Sequence, residues 1–438
     1  MAGPATSAEA GTSAFPLSED IRRRRNYALL MLMLVYMSSH IDRGIVGILA
    51  EPIKKDLDLT DTQIGIMSGL AFALFYATLG IPLAVLADRT NRRNIVVAAL
   101  TTWSAMTVVC GLAQNYAQLL LARIGVGIGE AGSSPQSHSM ISDMYAPHER
   151  ARALGFYSLG VTFGGMIGAL VGGYVSVHWG WRTAFFVVGA PGVVLAILVY
   201  LTVPEPPRLN RTARPAGSNA WKEMGEGFKF IWRSPACRHV IAGLTLTAFV
   251  GYGAGFFGPA FLERTHGVPR DKIGLILGPI AGLIAGAGVI AGGYFADKWG
   301  KSDARWTAWV VALGKVVAFP LILAYYLAPD FWLAIAFLLP GSFFGAFYLG
   351  PAFAMVQSVS PPAMRATTAA ISLFILNLVA LGLGPTAIGV ASDVLNKQFG
   401  FGTESLRYAL AGASLLNLWA AAHFYWAGKA YAHEVRTA

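Results

Sequence analysis

The sequence predicts an all-α membrane protein with twelve transmembrane helices. Apolar residues make up 55% of its 438 residues and charged residues only 13%, a balance that soluble proteins of this size do not have. The 50 glycines are spread along the whole chain, as is typical of membrane-spanning helices. A span needs about 20 residues, so the chain holds roughly 12 to 16 spans and no large domain outside the membrane.

Charge and cysteine content exclude other classes of protein. The net charge is +10, but Lys and Arg fall in short breaks between apolar runs and form no single stripe, so we expect no nucleic-acid partner. Cys110 and Cys237 lie in different apolar segments and predict no disulfide framework. Residues 1–20 contain no apolar stretch before a cleavage site, so we expect no classical signal peptide.

Twelve apolar runs separated by charged or Gly/Pro breaks are predicted as spans 1 to 12. In order they cover 26–49, 62–87, 94–113, 117–142, 152–177, 183–203, 238–262, 273–296, 306–327, 331–358, 367–394 and 406–428. The connections on one side, together with both termini, carry most of the Lys and Arg residues. The positive-inside rule therefore predicts that both termini are cytoplasmic.

The spans are predicted to form two six-helix halves. We predict a disordered cytoplasmic N-terminus, an N-terminal half, a cytoplasmic linker, a C-terminal half and a C-terminal tail, over residues 1–25, 26–203, 204–237, 238–430 and 431–438. Apolar residues at spacings of three and four in the linker predict a short amphipathic helix at the membrane surface. These residues are Trp221, Met224, Phe228 and Ile231.

Two motifs occur once in each half. The loop Asp88-Arg89-Thr-Asn-Arg92-Arg93 after span 2 returns 209 residues later as Asp297-Lys298-Trp-Gly-Lys301 after span 8. The segment Pro147-His-Glu149-Arg150 before span 5 returns 215 residues later as Pro362-Ala-Met-Arg365 before span 11. Because six spans separate each pair, the halves share one orientation and are related by an axis along the membrane normal.

These residues resemble the major facilitator superfamily across nearly the whole chain. The resemblance rests on the two loops, on Arg123 in span 4 and on the glycine-rich span 5. Within the superfamily, Asp42-Arg43, the loop at 88–93 and Arg123-Ile-Gly-Val-Gly-Ile-Gly-Glu130 are similar to the spinster-like subfamily, in a bacterial member. The resemblance implies the major facilitator fold, a bacterial inner-membrane location, and transport of a lysophospholipid or a sphingosine-phosphate-like substrate by alternating access.

Charged side chains inside the spans are candidate functional residues, because each costs about 2.5 to 3.5 kcal/mol at the bilayer centre. We predict Asp42 and Glu130 as the proton carriers. The predicted site for an anionic headgroup consists of Arg43, Arg123, Ser134 and Asn377. Arg123, Glu130 and Ser134 share one stripe of a helix in span 4. The structural alternative is two ion pairs that fix span 1 against span 4.

The second half is predicted to supply an apolar wall. Spans 7, 8, 10 and 11 hold aromatic residues but no charge at depth, and Lys315 lies in span 9, which is usually peripheral in the superfamily. The predicted contacts with a substrate tail are Tyr252, Phe256, Phe347 and Tyr348. A charged wall opposite an aromatic wall suits an amphipathic substrate. The alternative is that these rings face lipid or fill helix contacts.

The resemblance also implies a cytoplasmic gate. A loop carboxylate can meet the positive N-terminus of a helix from the opposite half, but only while the cytoplasmic side is closed. The predicted gate residues are Asp88, Arg89, Arg92, Glu149, Arg150, Asp297, Lys301 and Arg365. The alternative for the basic residues is a purely topological role.

No enzyme activity, metal site or cofactor is predicted. Gly127-Ile-Gly-Glu-Ala-Gly132 fits a dinucleotide pattern, but it lies inside an apolar span with no strand before it, so close helix packing is favoured. The hypothesis is a monomeric transporter among membrane lipids, with protons as the coupling ion and a lipid-like small molecule as substrate. A proton-coupled carrier of small organic anions or drugs and a lipid scramblase stay open as alternatives.

Overall fold

The computed structural model describes residues 19–207, 220–361 and 364–437, and these contain helices and no strands. Each predicted span falls on one helix or on consecutive helices. The N-terminal half has Glu19–Asp56, Asp61–Ser68, Leu70–Arg89, Arg92–Leu112, Tyr116–Glu130, Ser134–Met144 and Pro147–Thr202, and the linker has Ala220–Arg233. The C-terminal half has Pro235–His266, Arg270–Pro279, Ala285–Gly300, Trp306–Leu327, Phe331–Gly345, Leu349–Val359, Arg365–Ile375, Leu383–Phe399, Ser405–Ser414 and Leu416–Thr437, with π-helical turns at Ile280–Ile284 and Leu376–Gly382 and a 3-10 turn at Gly402–Glu404.

The helices suit a protein that crosses the membrane many times. Among the described residues, nine helical segments have the length and hydropathy that a span requires. One of them, Arg152–Thr202, has 51 residues, or about 75 Å at 1.5 Å per residue, which exceeds two bilayer cores. Gly180 breaks this segment with a φ of 83°, which favours glycine, so the segment holds both span 5 and span 6. The exact count of twelve spans and the side of the termini stay predictions.

The structure changes the predicted boundaries at the two termini. The first helix begins at Glu19, so residues 19–25 are helical and do not belong to a disordered terminus. Arg25 donates to Glu149 at 2.7 and 2.9 Å, which anchors this extension of span 1 to the start of span 5. The last helix continues to Thr437 through the segment predicted as a tail.

The linker contains a helix where the amphipathic pattern predicts one, over Ala220–Arg233. Ile231 is buried, whereas Trp232 is 73% exposed. A Cβ atom at Gly227 would lie 2.6 Å from Cδ1 of Ile371 in span 11. The helix therefore packs with its inner face on the C-terminal half.

Spans 4 and 10 are broken at equivalent positions. Span 4 turns at residues 131–133 and span 10 turns at residues 346–348. The separation of 215 residues equals that of the motif before spans 5 and 11. Within a membrane, broken helices occur where the freed backbone is buried in protein or lines a cavity. The internal repeat of the sequence is thus also present in the fold.

The two halves pack closely at the face that the topology predicts to be external. A Cβ atom at Gly389 of span 11 would lie 2.3 Å from the carbonyl oxygen of Asp61. Spans 5 and 8 approach in the same way, because a Cβ atom at Gly173 would lie 2.7 Å from the carbonyl oxygen of Arg270. No larger side chain fits at these contacts, so glycine allows the backbones of the halves to touch.

An ionic network reinforces this external contact. Arg264 of span 7 donates to both carboxylate oxygens of Asp61 at 2.7 Å and also pairs with Glu51. Asp393 of span 11 accepts from the backbone N–H groups of Asp61 and Thr62 at 3.1 and 2.8 Å, which caps a helix of the opposite half. Asp61 is only 2% exposed, so its charge depends on these partners.

The ion pairs that join the halves between described side chains are those of Arg264 with Glu51 and Asp61 in this external network. No such pair among them connects the halves at the cytoplasmic face, where the predicted gate would lie. The two halves are therefore held together at the face that the topology predicts to be external.

Replacing Arg264 with Gln should open the external face. The substitution leaves Asp61 buried without its principal cation, and breaking one partner of a buried ion pair costs about 3 to 5 kcal/mol. Because that cost falls only on the externally closed state, the outward-facing state should gain population. Spin-label distance measurements between the exposed positions Lys55 and Thr403 should then show a longer component.

Arg182→Gln is the matched control. Arg182 pairs with Asp56 at 2.6 Å, but this pair lies within the N-terminal half and both side chains are exposed. Its distance distribution should equal that of the wild type. If Arg264→Gln also keeps the wild-type distribution, the glycine contacts alone close the external face.

Candidate functional site

A buried ion pair between spans 1 and 4 forms the centre of the candidate site. Nε of Arg43 donates to the Glu130 carboxylate at 2.7 Å, and a terminal nitrogen lies 2.6 Å from the same oxygen. The side chain of Glu130 is 1% exposed and that of Arg43 is 24% exposed. Protein encloses the carboxylate, whereas the guanidinium group stays partly accessible.

Glycines of span 4 bring Glu130 close to spans 2 and 3. A Cβ atom at Gly127 would lie 2.8 Å from the carbonyl oxygen of Phe72, and one at Gly129 would lie 2.6 Å from the backbone nitrogen of Trp103. Small residues permit this close approach of helix backbones. The Gly-x-Gly pattern therefore serves helix packing in this structure.

Aromatic rings of span 2 contact the cations of the site. The guanidinium carbon of Arg43 lies 5.0 Å from the ring centre of Phe72 and 4.9 Å from that of Tyr76. Arg123, which is 2% exposed, lies 5.5 Å from the Phe72 ring. Cation–π attraction is strongest in such desolvated places. Neither ring is among the residues predicted from the sequence, although their spacing of four places them on one helix face.

Asp42 does not form the ion pair that the structural alternative expects. It is 1% exposed, and neither carboxylate oxygen meets a described donor in hydrogen-bonding geometry, although Thr107 lies beside it. Two guanidinium nitrogens of Arg123 are also buried without an acceptor among the described residues. Arg123 is near enough to act on Asp42 electrostatically. Of the two expected pairs, only Arg43–Glu130 is present.

The polar stripe of span 4 is divided between two helices, because the break at 131–133 separates Glu130 from Ser134. Ser134 is half-buried and Ser137 is fully buried, and both lie beside the hydroxyl of Tyr157. The predicted single stripe is therefore wrong beyond Glu130. Whether Ser134 contacts a headgroup stays a prediction.

The opposite side of the site comes from span 7. Tyr252 is 40% exposed and lies near enough to Arg43 and Tyr76 of the other half to interact with them electrostatically. Tyr348 of span 10 in turn lies near Tyr252. Phe256 lies one helical turn beyond Tyr252 and is half-buried. Arg43 and the two predicted tyrosines are thus neighbours across the halves.

Two predicted contact residues lie elsewhere. Phe347 is 6% exposed and packs against Gly292 of span 8 and Gly314 of span 9, so in this structure it fills a helix contact. Asn377 is half-buried in the π-helical turn Leu376–Gly382. Their roles in substrate binding stay predictions.

The expectation that Lys315 lies in a peripheral span does not describe its surroundings. Lys315 of span 9 is 4% exposed, and its Nζ donates to the carbonyl oxygen of Gly345 at 2.6 Å. The break of span 10 leaves this carbonyl without a helical partner. The orientation of span 9 about its own axis points Lys315 toward span 10. The place of span 9 in the sequence does not predict that orientation.

Side chains that could bind a metal ion do not cluster in the described part of the chain. No group of three or more His, Cys, Asp or Glu side chains within it is placed to hold a metal ion. His239 and His423 approach with 3.0 Å between their Nδ1 atoms, but a structural zinc site needs four ligands. The absence of a metal or another cofactor stays a prediction.

Comparison with known proteins decides the family. The sequence model of the Major Facilitator Superfamily matches residues 32–385. The chain belongs to the Major Facilitator Superfamily. It is 36% identical to an MFS-type efflux pump of Mycolicibacterium smegmatis over 86% of this chain and 87% of that protein. It is 26% identical to protein spinster homolog 1 of Xenopus laevis, over 89% and 77%, and 26% identical to the cis,cis-muconate transport protein of Acinetobacter baylyi, over 88% and 92%.

The fold agrees with the spinster-like subfamily. The structure matches a crystal structure of a bacterial homolog of the human lysosomal transporter spinster, in an inward-facing and unoccupied conformation. The TM-score is 0.84 and the identity is 32%, over 94% of this chain and 98% of that chain. The predicted family and the all-α fold are confirmed, and the chain is an integral multi-pass membrane transporter of the bacterial inner membrane. Members of the superfamily are in general not enzymes.

Several predicted gate residues of this superfamily member are held within their own half or by the linker. Arg92 pairs with Glu205 at 2.8 Å. The other such contacts are those of Glu149 with Arg25, of Arg150 with the carbonyl oxygen of Tyr145 and of Arg365 with the carbonyl oxygen of Ser360. The side chains of Asp88 and Arg89 lie outside the described part of the structure. Whether these residues form a gate stays a prediction.

Replacing Gly127 with Ala should destabilise the protein. The new Cβ atom would lie 2.8 Å from a backbone oxygen of span 2, and overpacking of this kind costs about 1 to 3 kcal/mol. The melting temperature of the detergent-solubilised protein should therefore fall. Gly165→Ala is the control, because its Cβ atom would meet nothing within 4 Å. The control should melt at or slightly above the wild-type temperature, since Ala is the better helix former; equal melting of the two variants would contradict tight packing at span 4.

Proposed function

We propose that this transporter couples protons to the movement of an amphipathic lipid with an anionic head, such as a lysophospholipid or a sphingosine-phosphate-like molecule. The observation that carries the proposal is the Arg43–Glu130 pair. It combines a partly accessible guanidinium group, which suits a phosphate or carboxylate, with an enclosed carboxylate that a proton can neutralise.

Glu130 and the substrate head compete for the same guanidinium group. A charged Glu130 holds Arg43 through two nitrogens. A proton on Glu130 removes that attraction and leaves Arg43 free to bind an anion. Proton binding and anion binding therefore favour each other, and such coupling is reciprocal. Both ligands then cross in the same direction.

Asp42 is the second proposed proton carrier. Its carboxylate is buried, and no described donor meets it in hydrogen-bonding geometry. A proton would remove a charge that is costly at this depth. Arg123 lies near it and has two nitrogens without described acceptors. A headgroup that reaches Arg123 would satisfy these nitrogens, and Ser134 and Asn377 would add neutral contacts.

Tyr252, Phe256 and Tyr348 are proposed to bind the tail. A molecule with its head at Arg43 would place its apolar part against the C-terminal half, where Tyr252 is partly exposed. Alternating access then requires that the external network around Arg264 breaks. The cytoplasmic loops with Asp88 and Asp297 would form the opposing latch.

A small organic anion is the second candidate substrate. The likeness to a cis,cis-muconate transport protein favours it, and Arg43 would bind a carboxylate of such a molecule as readily as a lipid headgroup. A lipid scramblase is a candidate of another class, which would not respond to a proton gradient. These three candidate functions differ in whether transport depends on the substrate tail and on the proton gradient.

Replacing Glu130 with Gln should abolish the response of transport to a pH gradient. Gln keeps the shape of Glu but cannot take up the proton that releases Arg43. The assay measures accumulation of a labelled lysophospholipid in proteoliposomes. A gradient of one pH unit supplies about 1.36 kcal/mol per proton. If one proton moves with each substrate, this gradient should raise accumulation by the wild type up to about tenfold. Glu130→Gln should show equal flux with and without the gradient.

Glu263→Gln is the matched control for this experiment. Glu263 pairs with Arg270 at 2.6 Å within the C-terminal half, away from the site. It should keep the wild-type response. A gradient response that survives in Glu130→Gln would contradict coupling through this residue, and wild-type flux that ignores the gradient would indicate facilitated diffusion or scrambling.

Substrate affinity should increase with the length of the acyl chain. Each buried CH2 group contributes about 0.8 kcal/mol, so two fewer methylenes should weaken competition up to about 15-fold. Tyr252→Ala should reduce this dependence, whereas Tyr294→Ala, at a 57% exposed position of span 8, should not. Competition by cis,cis-muconate at lower concentration than by any lysophospholipid would instead support the small anion.

A further inference from the structure

Lys315 is a buried cation that has no part in the proposed coupling of proton and anion binding. It is 4% exposed, and within the described ranges no carboxylate lies within ion-pair distance of its ammonium group. A lysine at the bilayer centre is costly without compensation. Its actual contacts must therefore offset that cost.

Both contacts of the ammonium group lie at the break of span 10. Nζ donates to the carbonyl oxygen of Gly345, the last residue of one helix, at 2.6 Å. It also lies 4.5 Å from the ring centre of Tyr348, which directly precedes the next helix. A cation at a helix C-terminus also meets the negative end of the helix dipole. Lys315 thus joins the two sides of the turn at 346–348.

Gly314, the residue before Lys315 in span 9, packs against the same turn. A Cβ atom at Gly314 would lie 2.9 Å from the carbonyl oxygen of Phe344 and 3.1 Å from Cβ of Phe347. Glycine therefore lets span 9 approach the turn closely enough for the lysine side chain to fold into it. Two adjacent residues, Gly314 and Lys315, hold the turn from one side.

Tyr348 connects this turn to the substrate site. It is half-buried and is an electrostatic neighbour of Tyr252, which is itself a neighbour of Arg43. The equivalent turn of span 4 directly follows Glu130. Both turns of the internal repeat thus adjoin residues of the candidate site.

We propose that Lys315 is a positioning residue, which pins the turn of span 10 and thereby sets the place of the Tyr348 ring against the substrate. The inference rests on the proposed function, because it treats Tyr348 as part of the tail site. Lys315→Arg keeps a cation that can donate to Gly345. Lys315→Met keeps a similar length and loses both the charge and the donor.

Transport kinetics test the consequence for the substrate. Lys315→Met should raise the KM for a labelled lysophospholipid roughly tenfold and change the maximal flux by less than about twofold, because the proton-coupling pair is untouched. Lys315→Arg should restore most of the affinity. Lys429→Met is the matched control, since its ammonium lies 4.6 Å from the Tyr425 ring but is exposed. A KM for Lys315→Met within about twofold of the wild-type value would overturn the proposal.

Cysteine labelling tests the turn without any assumption about the substrate. Leu349 is 41% exposed beside the turn, and Cys110 and Cys237 can be replaced by Ala to leave Leu349→Cys as the single thiol. Lys315→Met should change the alkylation rate of Leu349→Cys by at least about threefold, and Lys315→Arg should leave it near the starting rate. Equal rates would overturn the proposal. If the wild type carries no lysophospholipid but the rate changes, the proposed substrate fails and the pinning of the turn stands.

Size-exclusion profiles of each variant show whether it folds before either assay. If Lys315→Met does not fold, Tyr348→Leu replaces it in the assay. This variant keeps Lys315 and removes only the contact between its ammonium group and the tyrosine ring. It should then raise the KM to a similar extent and leave the Gly345 contact intact. An unchanged KM in Tyr348→Leu would also overturn the proposal.

Discussion

A charge inside the membrane needs a compensating charge, ring or dipole, and this constraint determines the centre of the protein. Arg43 and Glu130 satisfy it for each other at 2.6 to 2.7 Å, and Phe72 covers the guanidinium group from span 2. The glycines of span 4 let the helix around Glu130 pack closely against spans 2 and 3, which encloses the carboxylate.

The external network follows the same rule but joins the two halves. Arg264 compensates Asp61, which is buried, so the stability of this ion pair is part of the stability of one conformation. The glycine contacts at Gly389 and Gly173 lie on rigid helices, and they must be lost together when the halves rotate. An alternating-access cycle thus requires contacts of similar strength at the cytoplasmic face to offset this loss.

Much of the fold could be predicted from the sequence, because the bilayer sets the length of an apolar span. That Arg43 and Glu130 lie inside the protein could also be predicted, since charges inside spans are rare and face the interior of the bundle. Their pairing could not, because Asp42 is adjacent to Arg43 in sequence and only the rotation of the helices decides which carboxylate meets which cation. The inward position of Lys315 was missed for the same reason. The break of span 10 was missed as well, although Gly345 and the pair Gly350-Pro351 flank it.

The internal repeat explains where spans 4 and 10 break but not how each break is used. The break of span 4 follows Glu130, the residue proposed to release Arg43 when its carboxylate takes up a proton. The break of span 10 is held by Lys315 of the same half, through a carbonyl group that does not change charge. Under the proposed mechanism, one wall of the site changes charge during the cycle and the other keeps its shape. If the head binds the first wall and the tail the second, substrates that differ only in their tails will differ in affinity while each still moves with the same number of protons.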